Sequence, residues 1–139
     1  MYLGFQGLRA VAALLPLPAA RALGSLLGTL VYGLLPGQRR LATEHLRFAF
    51  GEALSPPARR RIVRGVFRNL GQTAMEWLHL PRLSTADLQR LIVAEGVEHV
   101  RQALAKGNGA ILIGPHFGNW ELIPLYLATL GFTGGVLAR

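Results

Sequence analysis

The sequence predicts an α/β protein in which N-terminal membrane-associated helices precede a partial, mainly parallel sheet layer. Three observations carry that reading. Apolar residues crowd ahead of Pro36, and Arg21 is the one charge between Ala10 and Leu35. A basic, helix-period segment opens at Ser55-Pro56-Pro57. From Leu91 onward, short apolar runs alternate with helix-period segments and glycine-bearing turns, the pattern of strand–helix–strand units. At 139 residues the chain has the length for one ordinary core, and its composition shifts divide it at 1–36, 37–90 and 91–139.

The first division reads as a membrane-anchoring hydrophobic segment. Arg21 splits it into Ala10 to Ala20 and Ala22 to Leu35, and neither piece alone reaches the roughly 20 residues that a helix needs to span hydrocarbon. Together they suffice for an anchor, with Pro16 and Pro18 breaking a short insertion from the helix that follows. A secretory signal peptide and a buried core helix compete for the same stretch. The signal peptide is disfavoured because apolar character resumes after Arg21 and the basic cluster Arg39, Arg40, Arg47 lies after the run, not before it. Those arginines belong on the cytoplasmic side, facing anionic lipid.

The second division reads as basic amphipathic helices. Ser55 can cap exposed amides and proline suits the first helical position, which predicts a helix from there to about Leu80. Val63, Val66, Phe67, Leu70, Ala74 and Trp77 recur at three and four residues as one apolar stripe. Arg60, Arg64 and Arg68 recur at four on another face, compensated either by phospholipid or by plain hydration. Ser84 with Asp87 is a capping signal for a short helix ending near Arg90.

In the third division Leu91 to Ala94 and Ala110 to Ile113 read as buried-type strands and Thr133 to Ala138 as a further one. Val97 to Ala105 and Leu122 to Leu130 read as the helices between them, with Lys106 to Gly109 a tight loop. Parallel pairing follows from that order.

Net charge of +8 is concentrated in the N-terminal half: residues 1–90 hold twelve arginines against four acids, residues 91–139 three bases against three acids. Dense positive charge suits an anionic membrane surface or nucleic acid. The bases here adjoin an apolar run and lack interleaved aromatics for stacking on bases, which favours the membrane and excludes a nucleic-acid partner. Absence of cysteine removes disulfides, thiolate metal sites and cysteine nucleophiles. His45, His79 and His99 show no ligand spacing, so no metal site is expected.

The residues richest in chemistry are Gly114-Pro115-His116-Phe117-Gly118-Asn119-Trp120-Glu121. They fall where a predicted strand delivers the chain to a helix N-terminus, a place that favours ligands and negative charge. His116 can serve there as a general base near neutral pH, and Glu121, five positions on, can hold the imidazole and offset its charge. Gly118 suits close approach of a ligand and Asn119 a helix cap. Taken by itself, a histidine at a strand end is more often a satisfied structural residue than a base.

His116-Phe-Gly-Asn-Trp-Glu121 closely resembles the H-x4-(D/E) motif of glycerolipid acyltransferases in the form found in lipid A and phosphatidylinositol mannoside acyltransferases, H-x-G-N-W-E. Val97-Glu98-His99 with Ala105-Lys106-Gly107, and Arg39 to Leu46 with Phe50-Gly51, resemble two further segments of that family, with His45 in place of its asparagine and Gly51 in place of its proline. The resemblance runs through all 139 residues, against about the first half of a family chain, so 91–139 reads as the start of a truncated, glycerolipid acyltransferase-like catalytic core. It implies acyl transfer from an acyl carrier protein or coenzyme A thioester to a hydroxyl of a membrane glycolipid such as a lipid A precursor, on the cytoplasmic face of the inner membrane. His116 would be the base and Glu121 its partner; Gly118, Asn119 and, toward acceptor phosphates, Arg139 would bind substrate. No cofactor beyond the thioester co-substrate is implied. The alternative is a truncated, inactive homologue that only binds membrane or lipid. A hydrolase using His116 lacks a suitably placed serine, since Ser25, Ser55 and Ser84 lie in an apolar helix and at two caps.

Overall fold

A computed structural model describes Gly7 and residues 14–135 of the chain. The fold divides into two compact units, Met1–Arg82 and Leu83–Arg139, and the described residues of both are helical, with no strand among them.

In the first unit, α1 (Leu17–Leu34), α2 (Pro36–Phe50) and α3 (Pro56–His79) follow one another, with single 3-10 turns at Gly51–Ala53 and Leu80–Arg82. Pro16 and Pro18 stand at the start of α1, where a missing N–H costs nothing. Ser55 caps α3, its side chain accepting from the Ala58 N–H. By its length and composition α1 is a candidate membrane span.

Helices α1 and α3 pack closely along a seam of small residues. Ala20, Gly24 and Gly28 are the buried residues of α1, spaced by four, and they meet Met75, Gly71 and Phe67 of α3. Because residue numbers fall on one helix as they rise on the other, the two run antiparallel. A Cβ added at Gly24 or Gly71 would collide with the other glycine's backbone carbonyl, so the helices touch through main chain. Met75 and Ala20 anchor the core, with Leu15, Leu23, Leu27 and Leu78 around them. Arg21, the one charge of the apolar run, pairs with Glu76 at 2.6 Å. Arg68 Nε donates to Ser25 Oγ at 2.9 Å, and Tyr32 meets Phe67 edge-on with centroids 5.6 Å apart. Helix α2 is tied back at both ends: Arg39 lies over the Tyr32 ring, and the buried Arg59 donates through Nη1 to the Gly51 carbonyl at 3.1 Å.

The predicted single stripe on α3 divides in two. Val63 and Phe67 are buried, whereas Val66, Leu70 and Trp77 are exposed. Steps of four residues advance about 40° around an α-helix, so a seam made of such steps leaves one side of a broad apolar face uncovered.

In the second unit, α4 (Thr85–Leu91), α5 (Val97–Ala105) and α6 (Leu122–Thr129) are joined by extended segments. Ser84 and Asp87 form a reciprocal capping box at α4. The buried Leu88 belongs to α4, which packs against α6. The α/β expectation is corrected here. Residues Ile92 to Ala94 and Ala110 to Ile113 form no ladder, and Val93, Ile111 and Ile113 are at least 90 % exposed. An apolar run makes a strand only when a neighbouring chain offers N–H and C=O groups to pair with, and among the described residues none does so. Thr133 to Gly135 have no regular structure, and the rest of that predicted strand lies outside the described residues.

Two measurements follow. Gly71→Ala should cost about 1–3 kcal/mol through overpacking, while Gly65→Ala, where an added Cβ meets nothing, should gain about 0.5–1 kcal/mol; denaturant unfolding in detergent micelles compares the two. The second concerns α4. The Ser84 hydroxyl and N–H hold the Asp87 carboxyl below the usual carboxylate range, so its contribution is fully present above the unfolded-state value near 3.8 and is lost as pH falls through the lower folded-state value. Amide exchange at Ser84 and Asp87 should accelerate over that acid range in the native chain and be uniformly fast in Asp87→Asn.

Candidate functional site

The site lies in the second unit, in the loop that leads into α6. The loop tightens at Pro115, whose carbonyl accepts from the Phe117 N–H at 2.9 Å. Gly118 then takes φ +58°, a left-handed conformation open to glycine at little cost. That residue turns the chain so that the next four begin the helix. The Leu122 N–H reaches the Asn119 carbonyl at 3.2 Å and the Ile123 N–H reaches the Trp120 carbonyl at 3.0 Å. Glu121 is the N-cap residue of α6 with helical backbone angles, and its side chain makes no cap bond. Its carboxylate therefore stands at the positive end of the helix dipole.

His116 is exposed and Glu121 is half-buried. The imidazole packs edge-on against Trp120, with centroids 4.7 Å apart and planes inclined at 68°. Among the described residues no hydrogen bond or ion pair joins His116 to Glu121. The structure thus brings His116, Gly118, Asn119 and Glu121 into one short turn and sets the histidine against Trp120. Arg139 lies outside the described residues.

A groove of 510 Å³ adjoins this turn within the same unit. Asn119 and Leu122 line it from the site, and Ile92, Val97, Val100 and Leu127 supply much of its apolar wall. Sequence reasoning missed two features here. Trp120 meets the His116 ring across a non-helical turn made by Gly118, a contact that residue spacing does not signal. The groove had no sequence signal, since its wall is assembled from four separate stretches of chain.

The arrangement offers a solvent-reachable imidazole, a carboxylate five residues on at the positive end of a helix dipole, and an apolar groove alongside. That combination suits proton transfer beside a long apolar substrate.

The sequence model of the family described as bacterial lipid A biosynthesis acyltransferase matches residues 1–139. Among curated proteins the chain is similar to a lipid A biosynthesis lauroyltransferase of Escherichia coli (strain K12), 30 % identical over 112 residues, which is 78 % of this chain and 35 % of that protein. It is also similar to phosphatidylinositol mannoside acyltransferase of Mycobacterium tuberculosis (strains CDC 1551 / Oshkosh and ATCC 25618 / H37Rv), 37 % identical over 59 residues, which is 41 % of this chain and 19 % of that protein. The chain spans about a third or less of the length of these relatives. No solved structure matches it.

Gly118→Ala should strain the turn by about 1–2 kcal/mol and weaken the packing of the His116 ring on Trp120. The nuclear Overhauser contact between the two rings should diminish in that variant and persist in Gly114→Ala, where an added Cβ meets nothing.

Proposed function

The chain belongs to the bacterial lipid A biosynthesis acyltransferase family, and from that premise we propose that it moves a fatty acyl group from a thioester to a hydroxyl of a membrane glycolipid, with His116 as general base. The observation that carries the reading is the turn His116 to Glu121 at the start of α6, set beside an apolar groove.

In this reading the acyl chain of the donor lies along the groove and its thioester carbonyl sits near Gly118 and Asn119. His116 removes the proton of the acceptor hydroxyl as that oxygen attacks the carbonyl carbon. The C–O bond forms, the C–S bond breaks, and the imidazolium returns the proton to the departing thiolate. Glu121 steadies the imidazolium charge in the manner of an orienting carboxylate. Hydrogen bonds of this kind are often long in free enzymes and shorten when substrate binds. No covalent acyl-enzyme is needed. The donor is an acyl carrier protein or coenzyme A thioester; the acceptor is a glycolipid such as a lipid A precursor, reached from the cytoplasmic face of the inner membrane. Arg139 is proposed to meet acceptor phosphate.

A second reading is a membrane-binding homologue without chemistry. Transfer of acyl groups from both thioester types to a panel of bacterial glycolipids separates the two. His116→Ala should lower the rate by about 10²–10⁴-fold and Glu121→Gln by less, with membrane association unchanged in both. Transfer that survives His116→Ala would overturn the assignment of the base; membrane association with no transfer by the native chain would favour the second reading.

A further inference from the structure

Helix α1, the long apolar helix of the first unit, is firmly attached to a basic neighbour. Helix α1 has the length of a short membrane span, 18 residues or about 27 Å. Its middle and C-terminal half lie alongside the arginine-rich half of α3: Ser25 meets Arg68, Gly28 meets the Phe67 backbone and Tyr32 meets the Phe67 ring. Arg60, Arg61, Arg64 and Arg68 are all exposed on that half. A span formed by α1 with α3 attached would carry these four charges into hydrocarbon, the costliest place for them. Detaching α3 would open the backbone contact at Gly24 and Gly71 and the Arg21–Glu76 pair.

The seam residues separate two flanks on each helix. One residue on from Gly24 is Ser25, and one on from Phe67 is Arg68; because these two meet, the flanks they mark share a side. The opposite side carries Leu26, Leu30 and Leu34 of α1 and Ile62, Val66 and Leu70 of α3, two rows at four-residue steps, every member exposed and Leu34 by 76 %. The α1–α3 layer is therefore apolar on one side and arginine-bearing on the other.

We propose that α1 does not cross the bilayer and that the α1–α3 pair lies along the surface of an anionic phospholipid membrane, with Leu26, Leu30, Leu34, Ile62, Val66 and Leu70 in the acyl boundary. A helix layer about 10–12 Å thick sunk about 5–10 Å keeps the arginine flank at the level of the lipid phosphates, which is the charge complementarity that selects an anionic membrane. This rests on the membrane part of the reading above and not on its chemistry.

Because the chain has no cysteine, single-cysteine variants of the full chain report position cleanly. Leu26→Cys, Leu30→Cys and Leu34→Cys are labelled with a fluorophore and bound to vesicles of phosphatidylethanolamine and phosphatidylglycerol brominated at shallow or deep acyl positions. The surface arrangement gives one shallow depth for all three labels and no quenching at Arg61→Cys. A span gives depths for Leu26→Cys and Leu34→Cys that differ by about 12 Å at 1.5 Å per residue, and that result overturns the proposal. Replacing phosphatidylglycerol by phosphatidylcholine should lower the bound fraction by about tenfold or more, and undiminished binding counts against it. Failure to bind any vesicle overturns this inference and the membrane part of the functional reading, while acyl transfer assayed in detergent tests the chemistry independently.

Discussion

The contact on which the first unit depends is the approach of α1 and α3 through main chain at Gly24, Gly28 and Gly71. Side chains of any size there would hold the helices apart, and the rest of the packing would lose its register. With the backbones touching, Met75 fills against Ala20, Arg21 reaches Glu76 and Arg68 reaches Ser25. Glycine is a poor helix former, so α1 sacrifices intrinsic helicity for a seam that dispersion forces can close. The ion pair does less for stability than for orientation, since the side chain of Arg21 is 44 % exposed and solvent screens much of its attraction.

Helices were legible where their signals are local. Ser55-Pro56-Pro57 and the Ser84–Asp87 box mark starts that the structure contains, because capping involves residues at most three apart. The α3 stripe was only partly legible: Val63 and Phe67 differ from Val66 and Leu70 by which of them faces α1, and that choice is made by the partner helix. The strands were misread for the same reason. Ile111 and Ile113 have the composition of a buried strand, but a ladder is a relation between segments and composition does not reveal whether the second segment is at hand.

At the site, His116, Gly118, Asn119 and Glu121 were legible as a contiguous pattern, and the structure adds the conformation that makes the pattern a turn. Positive φ at Gly118 lets Asn119 belong both to the loop and to the groove wall. The groove itself was invisible in one dimension, since Ile92, Val100 and Leu127 acquire a common function only when α4, α5 and α6 surround them. Membership of an acyltransferase family is what singles out this neighbourhood: a histidine-bearing turn beside an apolar groove.

The pairing of α1 with α3 also imposes an order of events during synthesis. Arg21 and Glu76 are 55 residues apart, so at about 5–20 residues per second the ribosome makes α1 roughly 3–11 s before its partner exists. For that interval the glycine seam and the leucine flank of α1 have no protein to cover them. A lipid surface close to the ribosome is a natural holder for such a helix, and the arrival of Gly71 would then convert a loosely held apolar segment into half of a fixed pair. Membrane association, on this view, would begin as a requirement of folding.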